Sequence, residues 1–274
     1  MISRRDFCAC CVGSALLPAA CRASVTNTRG YKSTLVEGFT PASVRWAGRS
    51  WRANMGATWT PGMDHCLKLA GSRARFEVRP GPTDRRREDR AGIMRSELSG
   101  SLKGDRTRLP NGVPLWGAFS FIHHRWSDRA GMANTTGGVH GQVHIGQSFG
   151  GSPALAFRRD PKGNFLITTR GESDPRSLPR FRAPLSFDAV HDVVYRLVLD
   201  PSNGELIVWL DGKRIVDVKG QSIGTSGADS FWILGCYYSG GATCPIVAEY
   251  AAHIYPGPAD LSARTASPPA WPAG

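Results

Sequence analysis

Residues 193–218 read Val193-Val194-Tyr195-Arg196-Leu197-Val198-Leu199-Asp200-Pro201-Ser202-Asn203-Gly204-Glu205-Leu206-Ile207-Val208-Trp209-Leu210-Asp211-Gly212-Lys213-Arg214-Ile215-Val216-Asp217-Val218. Three apolar segments, rich in β-branched residues, are separated by Pro-Ser-Asn-Gly and by Asp-Gly. Both separators are turn sequences, and Asn-Gly and Asp-Gly supply the positive φ that tight hairpins need. The stretch therefore predicts three consecutive antiparallel strands. Short apolar or alternating segments of the same kind recur at 75–78, 116–122, 142–145, 154–157, 165–168, 231–238 and 246–255. No convincing helical period occurs beyond the first residues. Many strands with Gly, Pro and Asn turns predict a two-sheet sandwich or jelly roll.

The composition agrees. Hydrophobic residues are 41% and charged residues 20% of 274, which excludes a wholly disordered chain. The 32 Gly and 19 Pro follow no Gly-X-Y period, which excludes collagen. A sandwich of this length is commonly one domain. No apolar run approaches the roughly 20 residues that span a bilayer, and no internal repeat is visible.

The chain opens on Ser3-Arg4-Arg5-Asp6-Phe7, followed by a mostly apolar run ending in Leu17-Pro18-Ala19-Ala20-Cys21. A charged start, a short apolar run and a small-residue exit describe an export signal over residues 1–23, and the paired arginines point to the twin-arginine route. Cys21 after Ala-Ala resembles a lipoprotein cleavage site, so a lipid anchor there is one expectation. The protein is expected in the periplasm, on the outer membrane as a lipoprotein, or secreted. The domain proper is expected over 24–257. The Pro- and Ala-rich tail of 258–274 is expected to be disordered or loosely laid on the surface. Of the seven cysteines, Cys66, Cys236 and Cys244 fall in that domain. Cys236 and Cys244 flank Ser239-Gly240-Gly241-Ala242, where they could pair across a hairpin or remain buried thiols.

The net charge is +12, which favours an anionic partner. Export and the lack of a recognition motif disfavour nucleic acid. Two long loops, 79–92 with its Arg-rich run and 127–140, are candidates for lids or binding loops.

Alternate residues of a strand share a face. In Ile93-Met94-Arg95-Ser96-Glu97-Leu98, Met94 and Leu98 go one way, Arg95 and Glu97 the other. In Gly141-Gln142-Val143-His144-Ile145, Val143 and Ile145 oppose Gln142 and His144. In Gly235-Cys236-Tyr237-Tyr238-Ser239, a strand glycine removes a side chain and lets a ligand approach the backbone, with Tyr237 on the same face. Polar residues on an outward strand face are also what a half-exposed sheet carries.

Taken in order, these clusters resemble the jelly-roll polysaccharide lyases. The alginate lyases of polysaccharide lyase family 7 carry an Arg-(Ser/Thr)-Glu-Leu strand, then Gln-(Ile/Val)-His, then a late Gly-x-Tyr. Residues 116–240, with Val208-Trp209-Leu210-Asp211-Gly212-Lys213, are similar to the broader heparin and glucuronan lyase superfamily. The resemblance covers roughly residues 90 to 255. Ser99 or Gly100 stands where a second arginine is usual, Ile233 where a lysine is, and Ser239 where a glutamine is. The resemblance implies an all-β, concanavalin-like jelly-roll sandwich of two antiparallel sheets. It also implies β-elimination of a uronic-acid polysaccharide, alginate or glucuronan in type, leaving 4,5-unsaturated ends.

That reaction builds enediolate charge on the substrate carboxylate, which positive or hydrogen-bonding groups must meet. Arg95 offers a bidentate fork and Gln142 an amide donor. By the family pattern Tyr237 is the acid and, for one epimer, also the base, while His144 is the alternative base or the neutraliser. Glu97, His124, Arg125 and Ser239 are candidates for substrate binding. No cofactor and no metal are expected, and the protein is expected to act as a monomer. Two other classes compete. One is a non-catalytic, lectin-like carbohydrate-binding sandwich. The other is a glycoside hydrolase on a neutral glucan, which needs a carboxylate pair. The chain lacks the Glu-x-Asp-x-x-Glu set of related glucanases and offers Glu97 alone.

Overall fold

The computed structural model describes residues 32–33, 44–55, 65–79, 93–101, 108–124, 138–146, 152–160, 162–239 and 245–272. The segment expected to be an export signal, with Cys21, as well as Arg125, Cys244 and nearly all of both long loops, lie outside the described residues.

Two eight-stranded sheets face each other. The first runs β1 (Lys32–Ser33), β4 (Leu67–Ala70), β5 (Arg73–Val78), β16 (Ile246–Gly257), β7 (Pro114–His123), β12 (His191–Val198), β13 (Asp200–Leu210), β14 (Lys213–Ile223). The second runs β11 (Leu178–Pro184), β10 (Asn164–Thr169), β9 (Pro153–Arg159), β8 (Gly138–His144), β15 (Phe231–Ser239), β6 (Ile93–Ser99), β3 (Arg49–Met55), β2 (Val44–Trp46). Every neighbouring pair of strands in the two sheets is antiparallel. This is the expected all-β jelly-roll sandwich.

The predicted meander is β12, β13 and β14. Asp211 and Gly212 have φ of 51° and 77°, the left-handed pair that a two-residue hairpin demands. Asn203 and Gly204 do not use positive φ. Instead the Asp200 carboxylate accepts hydrogen bonds from the backbone N–H groups of Ser202 and Asn203 at 2.8 and 2.7 Å, and this side-chain cap shapes the corner.

Alternation fills the space between the sheets with aromatic rings. Phe119 and Tyr195 of the first sheet meet Trp232 and Phe157 of the second at centroid distances of 5.4–6.0 Å. Gly117 leaves room for this, since a Cβ there would lie 2.4 Å from the Tyr195 ring. Burying rings of this size supplies much of the stabilising apolar area.

Gly235 has a different reason to be glycine from the one its sequence suggests. Its φ is +142°, and a Cβ would lie 2.3 Å from the Ser96 carbonyl oxygen and 2.7 Å from Glu97 Cα. The missing side chain makes room for the neighbouring strand rather than for a ligand. A bulge against β8 falls here, between Leu234 and Tyr237, while pairing with β6 stays in register. Gly235→Ala is expected to destabilise the fold by roughly 3 kcal/mol, from backbone strain plus overpacking. A thermal melt checks this, and an unchanged midpoint would contradict it.

The tail is not loose. Helix α1 (Ser262–Ala266) lies on the outer face of the first sheet. Its Arg264 pairs with Asp192 at 2.6 Å and donates to the Ala252 carbonyl at 2.6 Å and to Ser120 Oγ at 3.2 Å. Asp192 and Ser120 project outward because Val193 and Phe119 project inward. A buried carboxylate on an exposed sheet face needs such a counter-charge. Among the described residues, no helix is long and apolar enough to cross a membrane.

Candidate active site

The second sheet carries most of the candidate residues on its outer face. On β6, Met94 and Leu98 enter the core and Arg95 and Glu97 turn away from it. On β8, Val143 enters the core and Gln142 and His144 turn away. On β15, Leu234, Cys236 and Tyr238 enter the core and Tyr237 turns away. The order β8-β15-β6-β3 then sets these outward side chains next to one another. Tyr237 pairs with Arg95, Gly235 with Glu97, Ile233 with Gln142, and Phe231 with His144.

The centre of the cluster is a carboxylate. Glu97 Oε1 accepts a hydrogen bond from Gln142 Nε2 at 3.1 Å. Its Oε2 accepts from Asn54 Nδ2 at 3.2 Å and from Arg95 Nη1 at 3.3 Å. The Arg95 guanidinium also lies over the Tyr237 ring, 4.7 Å from its centroid. One acidic group thus fixes two amides and a guanidinium, and the guanidinium in turn packs on the phenol. Glu97, Gln142 and Asn54 are 1%, 6% and 9% exposed, although they sit on an outer sheet face. These three side chains are therefore covered by their neighbours, and the polar network they form is sheltered from water.

Glu97 does not play the part expected of it. Buried, with both oxygens occupied by Gln142, Asn54 and Arg95, it holds these neighbours in place and has almost no surface of its own to offer substrate. Asn54, on β3, is the partner that the sequence did not disclose; nothing near it announces that β3 lies beside β6.

His144 stands at the far end of the cluster from Tyr237, stacked on Phe231 with centroids 5.1 Å apart. Its Nδ1 accepts the Gly146 N–H at 2.9 Å. A neutral imidazole that accepts at Nδ1 carries its hydrogen on Nε2. The ring is thereby set to donate from Nε2.

Other expected residues are placed elsewhere. His124 follows β7, in the first sheet, and its Nε2 lies 2.9 Å from Glu249 Oε1. It belongs to the opposite side of the sandwich and cannot share the Tyr237 face. Ser239 ends β15, and its side chain is outside the described residues. Cys236 is a free thiol buried in the core; burial pushes its ionisation well up. Its suggested partner Cys244 is outside the described residues. His140, one residue before Gly141, turns inward at the β8 bulge. Its Nε2 lies 2.9 Å from the Tyr238 hydroxyl, and burial holds its pKa down at about 3. Among the described residues, no group of three or more His, Cys, Asp or Glu comes together that could hold a metal ion.

Comparison with solved structures finds the same fold in several polysaccharide lyases. An endo-β-1,4-glucuronan lyase from the fungus Trichoderma reesei superposes with a TM-score of 0.53 at 13% identity, over 83% of this chain and 94% of that one. The family 7 alginate lyase A1-II′ gives 0.51 at 12% identity, over 75% of this chain and 95% of that one. A substrate-bound form of the same lyase gives 0.51 at 11% identity, over 80% and 94%. The chain has the jelly-roll fold of these polysaccharide lyases. No protein-family model and no curated protein matches it in sequence.

Proposed function

We propose that the protein is a polysaccharide lyase that cleaves a uronic-acid polysaccharide by β-elimination. The observation that carries this reading is the Glu97-centred cluster, which aims Arg95 and Gln142 outward beside Tyr237. Arg95 and the second Gln142 N–H meet the C6 carboxylate of the bound sugar. They stabilise the enediolate that forms when C5 loses its proton. The Tyr237 oxygen takes that proton. The C5–H electron pair becomes the C4=C5 double bond as the C4–O bond breaks, and the departing oxygen receives a proton from the tyrosine. The Arg95 guanidinium over the ring holds the phenol in place beside the carboxylate it would meet. His144, donating from Nε2, acts as a neutraliser or hydrogen-bond donor to the sugar chain rather than as the base.

The substrate is a polyuronate of the alginate or glucuronan type, which suits both the net charge of +12 and the two kinds of lyase that share the fold. A polymer of this size is met outside the cytoplasm, which fits the export signal read at residues 1–23. The test is to mix the chain with alginate, polyguluronate, polymannuronate, glucuronan, hyaluronan and heparin, and to follow the ultraviolet absorbance of the unsaturated product. A rise with one polymer is expected. Binding to a polymer without any rise would overturn the lyase reading and leave a carbohydrate-binding module.

A further inference from the structure

Two arginines on the same outer face have no carboxylate to answer them among the described residues. Val139 on β8 pairs with Tyr237 on one side and with Arg158 of β9 on the other, so the three stand in one row. Gln142 pairs with Ala156, and Ala156 with Thr168 of β10, which puts Thr168 on that face too. Arg158 Nε donates to Thr168 Oγ1 at 3.1 Å, which swings the guanidinium along the sheet from the Tyr237 row toward the Gln142 row. Ala156, lying between, has no bulk to fill the space.

Arg170 follows β10 two residues after Thr168 and so shares its face. Its Nε is buried and has no hydrogen-bond partner among the described residues. The two guanidiniums repel each other. With burial as the larger cause, this brings the Arg158 pKa down to about 10. Among the described residues, the groups acting on Arg158 are Arg170, which opposes its charge, and Tyr237, which supports it, with no Asp or Glu among them. Two half-buried like charges with unused donors are costly to hold together unless an anion joins them.

We propose that Arg158 and Arg170 form a second anion-binding subsite, which takes the carboxylate of another sugar on the same polysaccharide chain. The inference rests on the reading of this face as a polysaccharide site, and it narrows the substrate. From β15 to β9 is two strand spacings, roughly 10 Å, farther than one pyranose ring reaches. The preferred polymer therefore carries acid groups on more than one sugar, as a continuous polyuronate does, rather than an isolated uronic acid in a neutral chain.

The experiment titrates glucuronan, alginate and carboxyl-reduced alginate into the chain, Arg170→Gln, and the Arg158→Gln/Arg170→Gln pair, at several salt concentrations. The double variant is expected to bind the polyuronates at least tenfold more weakly, in line with the loss of charge-assisted hydrogen bonds, and with a shallower salt dependence. The neutral polymer should bind all three proteins alike. Arg158→Lys/Arg170→Lys should recover part of the affinity. Arg170→Gln breaks no side-chain hydrogen bond within the described residues, so it reports on binding even if the double variant folds poorly. Unchanged polyuronate affinity in a folded Arg170→Gln and double variant would overturn the subsite. Elimination product with an unaltered KM would do the same while leaving the lyase reading intact. Lost affinity without product from any polymer would keep the subsite and sink the lyase.

Discussion

Tyr237→Phe is expected to lower turnover by about a thousandfold, with the fold and most polymer binding retained. The change removes a single oxygen. The ring that Arg95 lies against remains, and that contact is one of aromatic face to cation, not of the hydroxyl. What disappears is the group that moves the proton between C5 and the leaving oxygen. Positioned acid–base groups are worth about 10² to 10⁴ in rate, and here one residue serves both steps. Initial rates of product absorbance measure the loss, and a circular dichroism melt shows whether the sandwich survives. A variant keeping a tenth of the parent rate would exclude Tyr237 as the proton carrier. The next candidate would then be the His144 ring, whose Gly146 hydrogen bond disfavours it as a base.

The second large effect is expected at Glu97. Glu97→Ala strips the acceptor from Asn54, Arg95 and Gln142 at once. The salt bridge it breaks is well sheltered, with side-chain exposures of 14% for Arg95 and 2% for Glu97. Removing one partner of such a pair leaves the other without compensation and costs about 3 kcal/mol or more. For a domain of this size that is a fall in melting temperature of roughly 10 °C. Turnover should drop by about a hundredfold as well, because Arg95 and Gln142 lose the group that aims them. Glu97→Gln keeps the shape but turns an N–H toward donors that need an acceptor, so its losses should be smaller and of the same kind. A Glu97→Ala protein that melts with the parent but fails to bind polymer would mean that Glu97 touches substrate directly.

These two residues also show what the sequence could and could not disclose. Strand alternation was enough to put Arg95 with Glu97 on one face of their strand and Gln142 with His144 on one face of theirs, because the period of two is local. It was enough to mark Asp211-Gly212 as a hairpin, since a positive φ at both residues leaves few alternatives. It did not say that polar side chains on one outer face would be buried. Glu97 therefore read as a solvent-facing binder when it is a buried anchor. Nor could it say which sheet a strand joins. His124 follows a strand whose pattern resembles the others, yet β7 lies in the first sheet and takes the histidine to Glu249. Asn54, Arg158 and Arg170 went unnoticed for the same reason. Each sits in an ordinary alternating or turn context, and its neighbours come from strands far away in the chain. Gly235 was marked for the right region and the wrong cause, because a glycine does not reveal which atom occupies the space its side chain would take.

The Arg264 clamp has a practical side. The helix it secures lies across β7, β12 and β16, on the sheet opposite Tyr237. A bead, a sensor surface or a fused domain joined beyond residue 272 would therefore hold the molecule by its back. The Tyr237 face would stay turned toward the medium, open to the long polymer proposed for it.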